Sequence, residues 1–369
     1  MSGIKYAAFA LAAVCISTAI LVSAFAAADL YYHYKLQKKG LYNIWGYRGP
    51  VAGPKPPGQF RLAVIGGSAA AGWGAPMGRS FPAYLERMLN RTSGNGRSYS
   101  IVNLAWNNEG AHSFIFTLRD YAYLNYDAVI FYTGYNDLNK WDNRYVFRHQ
   151  SPIFRLTGYL PLLPGMMLDK AKILRQGLGI NEINLGKKRA NFTPGFIGKT
   201  KASALEIGGR IALSLESQLG RLTDPDRGQS THGEAGCGKR WAFYCGEIRK
   251  ALDFALKRKT PVAVVTQPYI SDSHVDQQNN LASFLRRRFR NERRIVHFNL
   301  GKTLRLKDRA LSIDGMHLTA RGNEIIAKSL AAPLTAFLRK HRRAGTPELK
   351  KAGHSAIIGI STNNQFHPQ

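Results

Sequence analysis

Apolar and polar positions along this chain fall into distinct regimes. Between Arg61 and Asn299, short apolar runs recur at Arg61 to Ile65, Tyr99 to Leu104, Ala128 to Thr133, Pro261 to Thr266 and Arg294 to Asn299. They are rich in β-branched or aromatic residues, and runs of this length and composition predict buried strands. Helical patterns separate most of them. The first, after Ser80, places Phe81, Tyr84, Leu85, Met88 and Leu89 at the i, i+3, i+4, i+7, i+8 spacing of one buried face. Strands alternating with helices imply a parallel sheet covered on both sides, so the predicted fold is a three-layer α/β/α domain over about residues 61–340.

The amino terminus is different. From Tyr6 to Ala28 the chain runs 23 residues without a charge, and about 20 helical residues suffice to span a bilayer core. The length favours a retained transmembrane anchor over residues 1–30, although Ala24-Phe25-Ala26 has the look of a signal cleavage site. Tyr31, Tyr32 and Tyr34 then fall where an aromatic belt would sit. Lys35, Lys38 and Lys39 outnumber Lys5 across the span and by a literal positive-inside count would keep the domain in the cytoplasm. The cleavage-like triplet and a cysteine pair discussed below favour the outer side. Residues 31–60, dense in Gly and Pro from Gly40 onward, read as a linker.

One stretch breaks the βα rhythm. Over about residues 140–240 no strand pattern is visible, and Pro152, Pro161, Pro164, Pro194 and Pro225 punctuate it. Too long for a plain loop, it is expected to be an inserted, partly helical cap over the site, with Thr223 to Gly238 a mobile polar segment. The tail, 341–369, is polar and is expected to be disordered.

Charge adds one constraint. With 52 Lys plus Arg against 23 Asp plus Glu the chain carries +29, a field that attracts polyanions of any kind. No zinc-finger spacing or basic stripe interleaved with aromatics supports a dedicated nucleic-acid reader, and a merely solubilising basic surface is an equal alternative. Cys237 and Cys245 are close enough in sequence to bridge, which would suit an oxidising compartment, and two free thiols remain the alternative. With His232 they make too few ligands for a zinc site.

The candidate chemistry lies at strand ends. Leu62-Ala-Val-Ile-Gly-Gly-Ser68 is an apolar strand that ends in two glycines and delivers a serine where open parallel sheets bind ligands. A phosphate-binding loop is the competing reading, but neither a Gly-Lys-Ser/Thr nor a Gly-x-Gly-x-x-Gly spacing is present. Asp314-Gly-Met-His317 precedes an amphipathic helix that Thr319 can cap. At that spacing the carboxylate can reach Nδ1 and leave Nε2 free to take a serine proton. Glu109 and His112 form a second acid-x-x-His pair, weighed as a decoy. Asn136 and the Gly110 N–H, each after a strand, are candidate oxyanion donors, with turn formation the simpler role for Asn136 alone.

In this order and context, Ser68, Gly110, Asn136 and His317, with Asp314 as the acid, resemble the signature positions of the SGNH (GDSL-like) serine ester hydrolases. The match runs over about Arg61 to Leu338 apart from the insertion, and the Asn43-to-Gly49 stretch is similar to membrane-linked bacterial members. Two departures stand out: Gly67 occupies a position where many members have Asp, and the Trp106-to-Glu109 stretch lengthens the Gly110 block. The resemblance implies a flavodoxin-like sheet and acyl transfer by a Ser68, His317, Asp314 triad. Ser68 N–H, Gly110 N–H and Asn136 would form the oxyanion hole, and no metal or organic cofactor is implied. The substrates it implies are acyl esters of sugars, lipids or peptidoglycan. Transfer to another alcohol, or polysaccharide binding without catalysis, are the alternatives.

Overall fold

A computed structural model describes residues 2–38, 42–93, 98–138, 147–176, 200–211, 214 and 235–342. The expected tail beyond its first two residues, and Thr223 to Gly238 up to residue 234, lie outside the described residues. Five strands, β1 (Gln59–Gly66), β2 (Ser98–Asn103), β3 (Ala128–Thr133), β4 (Val262–Thr266) and β5 (Ile295–Asn299), form one sheet in the order β2-β1-β3-β4-β5, and every pairing is parallel. Each overlaps an apolar run of the sequence, and β3 has the predicted bounds.

Successive residues of a strand face opposite ways, and the two cores follow that alternation. Leu62, Val64, Ile130, Tyr132, Ala263 and Val265 pack with Phe81, Leu85 and Leu89 of the Phe81–Arg91 helix and with Ile326, Leu330 and Leu334 of the Ala320–Arg342 helix. Ala63, Ile65, Val129, Phe131, Val262 and Val264 face the other way. There they meet Phe114 and Leu118, Ile248 and Leu252 of the Ala242–Lys257 helix, and Phe284 of the Asp272–Arg288 helix. Chain order reverses beside β1, with β2 on one side and β3 on the other, and open parallel sheets bind ligands at the carboxyl ends of the strands at such a point.

Two side chains and one backbone amide engage the outer edge of β2. Asn90 donates to Tyr99 O (2.9 Å) and accepts from Tyr99 N (2.8 Å), Glu86 accepts from Ile101 N, and Arg48 N donates to Asn103 O (3.2 Å).

The amino-terminal helix is continuous over Ser2–Lys38, eight residues past the expected end of the anchor. Its apolar side chains from Tyr6 to Phe25 are exposed, and then Asp29 and His33 become buried. Asp29 accepts from Leu162 N (2.8 Å), Leu163 N and Tyr159 Oη, while His33 Nε2 lies 2.7 Å from Leu160 O. Asp29 therefore takes up N–H groups that open the Leu163–Gln176 helix, as an N-terminal cap would. Nor is the segment after the helix a free linker, because Asn43 and Tyr47 are buried and Leu160 N donates to Ile44 O at 3.1 Å.

The insertion contains helices at Phe147–Gln150, Pro152–Thr157, Leu163–Gln176 and 200–211, and no strand among its described residues. Among the described residues of the insertion, Phe154 and Leu160 join the core on the Phe114 face, and Tyr159 to Leu163 carry the contacts with the Ser2–Lys38 helix. Cys237 and Cys245 are joined in a disulfide, and Cys15 is free within the apolar helix.

A buried asparagine ties the site loop to this frame. Asn323 Oδ1 accepts from Phe81 N (2.9 Å) while its Nδ2 donates to Leu318 O (3.1 Å) and Thr319 O (2.9 Å). In Asn323→Leu the buried Phe81 N–H has no acceptor, and the expected loss is about 1–3 kcal/mol of stability. Urea denaturation of the variant and parent measures it, and an unchanged midpoint would show that the bond is replaceable.

Candidate active site

β1 ends in Gly66 and the chain turns at Gly67 to begin a short helix at Ser68. Gly67 admits no side chain: a Cβ there would fall 1.9 Å from Asn136 Nδ2 and 2.9 Å from Glu109 O. The departure from the Asp expected at this position thus has a steric consequence, since the space beside the serine is filled by the Asn136 amide.

Ser68 Oγ lies 2.8 Å from His317 Nε2, and His317 Nδ1 lies 2.7 Å from Asp314 Oδ2. The histidine loop is held locally. Ile313 N donates to His317 O (2.8 Å), Ser312 Oγ donates to the same oxygen (3.0 Å), and Gly315 turns with a left-handed φ of +89°. Thr319 Oγ1 accepts from Gly322 N at 3.2 Å, the cap anticipated from the sequence. Burial alone would raise the Asp314 pKa, but the His317 N–H, the imidazole and the Met316 N–H together hold it below the usual carboxylate value. The Trp73 ring lies 4.6 Å from the imidazole, tilted by 51°, and covers part of it.

The candidate oxyanion donors come from the ends of β2 and β3. Asn136 Nδ2 donates to Glu109 O at 2.8 Å. An amide nitrogen carries two hydrogens, so one remains for a ligand. Neither Ser68 N–H nor Gly110 N–H has an acceptor among the described residues. Asp137 draws the β2 loop against the β3 loop: its Oδ1 accepts from Ala111 N at 2.8 Å, and a Cβ on Gly110 would come within 2.5 Å of that oxygen.

Glu109 does not serve as the acid of a second dyad. Its carboxylate and Arg148 are both fully buried, with Arg148 Nη2 2.7 Å from each carboxylate oxygen. Arg148 also donates to Leu104 O (2.8 Å) and Gly46 O (3.1 Å). Burial opposes its charge, yet Glu109, Tyr121 and Tyr42 together raise its pKa. This arginine stands in the insertion 39 residues from its partner and carries no motif or spacing that marks it.

Beside it, Thr117 Oγ1, His149 and Asp120 reproduce triad distances, 2.8 Å to Nε2 and 2.7 Å from Nδ1. Thr117 is buried in a helix and its hydroxyl donates to Ser113 O (3.2 Å), so this copy of the geometry has no route to substrate. A cavity of about 510 Å³ between the 47–56 segment and the Phe81–Arg91 helix contains none of Ser68, Asp314 or His317.

No family model and no curated protein matches the sequence. Among solved structures the chain is similar to a family 3 carbohydrate esterase from Clostridium thermocellum, at 12% identity and a TM-score of 0.38 over 77% of this chain and 99% of that one. It is also similar to a lipase from a goat rumen metagenome (12%, 0.36, 74% and 96%) and to a GDSL-like lipase from Bacteroides thetaiotaomicron (12%, 0.34, 76% and 88%). Likeness at this distance leaves function to be read from the geometry.

Asp137 provides a pH test. Burial, reinforced by the charge of Glu247, pushes its carboxyl up to about 7 although Ala111 N–H and Thr133 pull the other way. The folded value lies above the roughly 3.9 of an unfolded Asp, so the native state binds the proton more tightly. Stability is then lost as pH rises from about 4 to about 7, with the full cost present above that. Asp137→Asn keeps an oxygen acceptor and removes the ionisation. Its stability relative to the parent should be greater at about pH 8 than at about pH 4 in urea titrations, and an equal difference at both would contradict this reading.

Proposed function

We propose that this protein is a serine-dependent ester hydrolase. The observation that carries the reading is the hydrogen-bonded series Ser68 Oγ, His317 Nε2, His317 Nδ1, Asp314 Oδ2 at 2.8 and 2.7 Å, placed at the carboxyl end of β1. Ser68 Oγ attacks the ester carbonyl carbon as His317 Nε2 takes its proton, and Asp314 stabilises the imidazolium that forms. The negative charge that develops on the carbonyl oxygen is met by Ser68 N–H, Gly110 N–H and the free hydrogen of Asn136. Collapse of the intermediate expels the alcohol, which receives the proton from His317. Water then attacks the acyl-serine with His317 again as base, and the acid leaves.

The substrate reading is an O-acyl ester of an envelope polysaccharide, supported by the net charge of +29 and by an apolar helix long enough to span a bilayer. Lipid esters, or transfer of the acyl group to a second alcohol, use the same triad. A non-catalytic polysaccharide-binding role is disfavoured because binding alone requires no proton relay. The helix is taken as a retained single-pass anchor, with the domain on the outer side of the membrane. The disulfide between Cys237 and Cys245 supports that side, since such bonds persist in oxidising compartments.

Ser68→Ala should lose fluorophosphonate labelling and hydrolysis of para-nitrophenyl esters while its melting temperature is kept, with a turnover loss on the order of a million-fold. Undiminished labelling would refute the assignment. For Asn136→Ala the expectation is a turnover lower by about a hundred to a thousand-fold with a smaller change in KM. A rise in KM alone would make the amide a ground-state contact. For the anchor, full-length protein should stay with membranes after carbonate washing, and protease added to spheroplasts should digest the domain. Protection from protease, with Cys237 and Cys245 alkylated without reduction, would place the domain inside.

A further inference from the structure

The apolar helix and the insertion are joined at one level, and that level can be located. The 20 residues from Tyr6 to Phe25 match the length that fills a bilayer's hydrocarbon core. Asp29 follows four residues later, about 6 Å further along the helix axis, which puts it among lipid head groups in a bilayer whose polar layers bring the total to about 40–45 Å. Whatever is hydrogen-bonded to Asp29 shares that depth. Its partners are Tyr159, Leu162 and Leu163 of the insertion.

Two helices carry exposed apolar side chains beside this junction. Pro152–Thr157 ends two residues before Tyr159, and on it Ile153 is 44% and Leu156 78% exposed. On the 200–211 helix Ile207 is 59% and Ile211 56% exposed, while Ala202 and Gly209 on its other side are buried. Gly208 and Gly209 lie against Met167, Leu168 and Pro164, so the end bearing Ile207 and Ile211 sits beside the first turns of the Leu163–Gln176 helix, next to Asp29. Further along that helix, Lys170 Nζ meets Tyr32 Oη at 3.1 Å, a turn farther from the apolar span. Among the described residues of the insertion, the exposed isoleucines and leucine are thus on the helices beside the Asp29 junction.

We infer that the insertion is a second membrane contact: Ile153, Leu156, Ile207 and Ile211 enter the lipid interface around the anchor, so the domain is seated on the bilayer instead of hanging from a tether. The inference rests on the reading of Ser2–Lys38 as a retained span. A lipid surface is favoured over a protein partner because the residues lie at head-group depth, the level at which the anchor itself exposes Leu30, Tyr31 and Tyr34 and then carries Lys35 and Lys38. Apolar side chains with a basic fringe suit an anionic interface.

The test uses full-length protein with Cys15→Ser, reconstituted in liposomes without reductant so that the disulfide stays closed. An environment-sensitive fluorophore is attached at Leu156→Cys, at Ile16→Cys within the span, or at Met77→Cys, an exposed position on the loop after Ser68. Labels at 156 and 16 should show blue-shifted emission and quenching by brominated acyl chains, and the label at 77 neither. Quenching at 16 with position 156 behaving like 77 would overturn the inference and leave the anchor standing. A blue shift at 156 without quenching would assign that face to a protein neighbour and overturn it too. No quenching at 16 would remove the anchor reading and this inference together. Fluorophosphonate labelling of Ser68 in each variant reports the ester chemistry separately.

Discussion

The site depends on one buried ion pair. Arg148 and Glu109 have no exposed side-chain surface, and between them they bind four separate pieces of chain: the segment at Gly46, the end of β2 at Leu104, the loop before Gly110, and the insertion. Two buried charges are costly to desolvate, and removing one partner of such a pair typically costs about 3–5 kcal/mol. The arrangement is held because Nη1 and Nη2 of the guanidinium are directed at oxygens, Nε is directed at His149 Nε2, and the Trp106 and Tyr121 rings flank it. With its side chain fixed, Glu109 presents its backbone oxygen to Asn136, and the amide is oriented beside Ser68 by the same residue that anchors the insertion.

That connection explains the division of labour between local and distant structure. The histidine side of the site is built from a single loop, Ser312 to Thr319, held by bonds within itself and by bonds to its immediate chain neighbours Asp308 to Leu311, Gly322 and Asn323. The side proposed to hold the oxyanion is assembled from three strand ends and a residue from the insertion, so its geometry rests on the whole domain being folded. Gly67 is where the two sides meet, and the absence of a side chain there lets Asn136 approach the serine.

Legibility in the sequence follows the same division. The strands were readable because a fully buried parallel strand must be apolar on both faces, as Ala128 to Thr133 is, and the Phe81 helix because its apolar positions repeat with the helical period. Asp314 and His317 could be paired because three residues on a turn suffice to join them. Arg148 could not, since a long-range ion pair leaves no periodic trace and one arginine among so many carries no signal. Asp29 is illegible for a related reason: a lone carboxylate just past an apolar span looks like ordinary membrane flanking, and only the folded chain shows it meeting Leu162 and Leu163. The Thr117, His149 and Asp120 copy of the triad distances shows the converse, that geometry without access is packing.

The engaged outer edge of β2 bears on how copies of this chain tolerate one another. Molecules confined to a surface collide far more often than the same number free in a volume, and an open strand edge turns collisions into strand addition and then polymer growth. Here the Tyr99 amide and carbonyl, the Ile101 amide and the Asn103 carbonyl are already engaged by Asn90, Glu86 and Arg48. With the apolar helix holding the protein on a membrane as proposed, crowding in two dimensions raises the frequency of encounter without supplying a strand template at that edge.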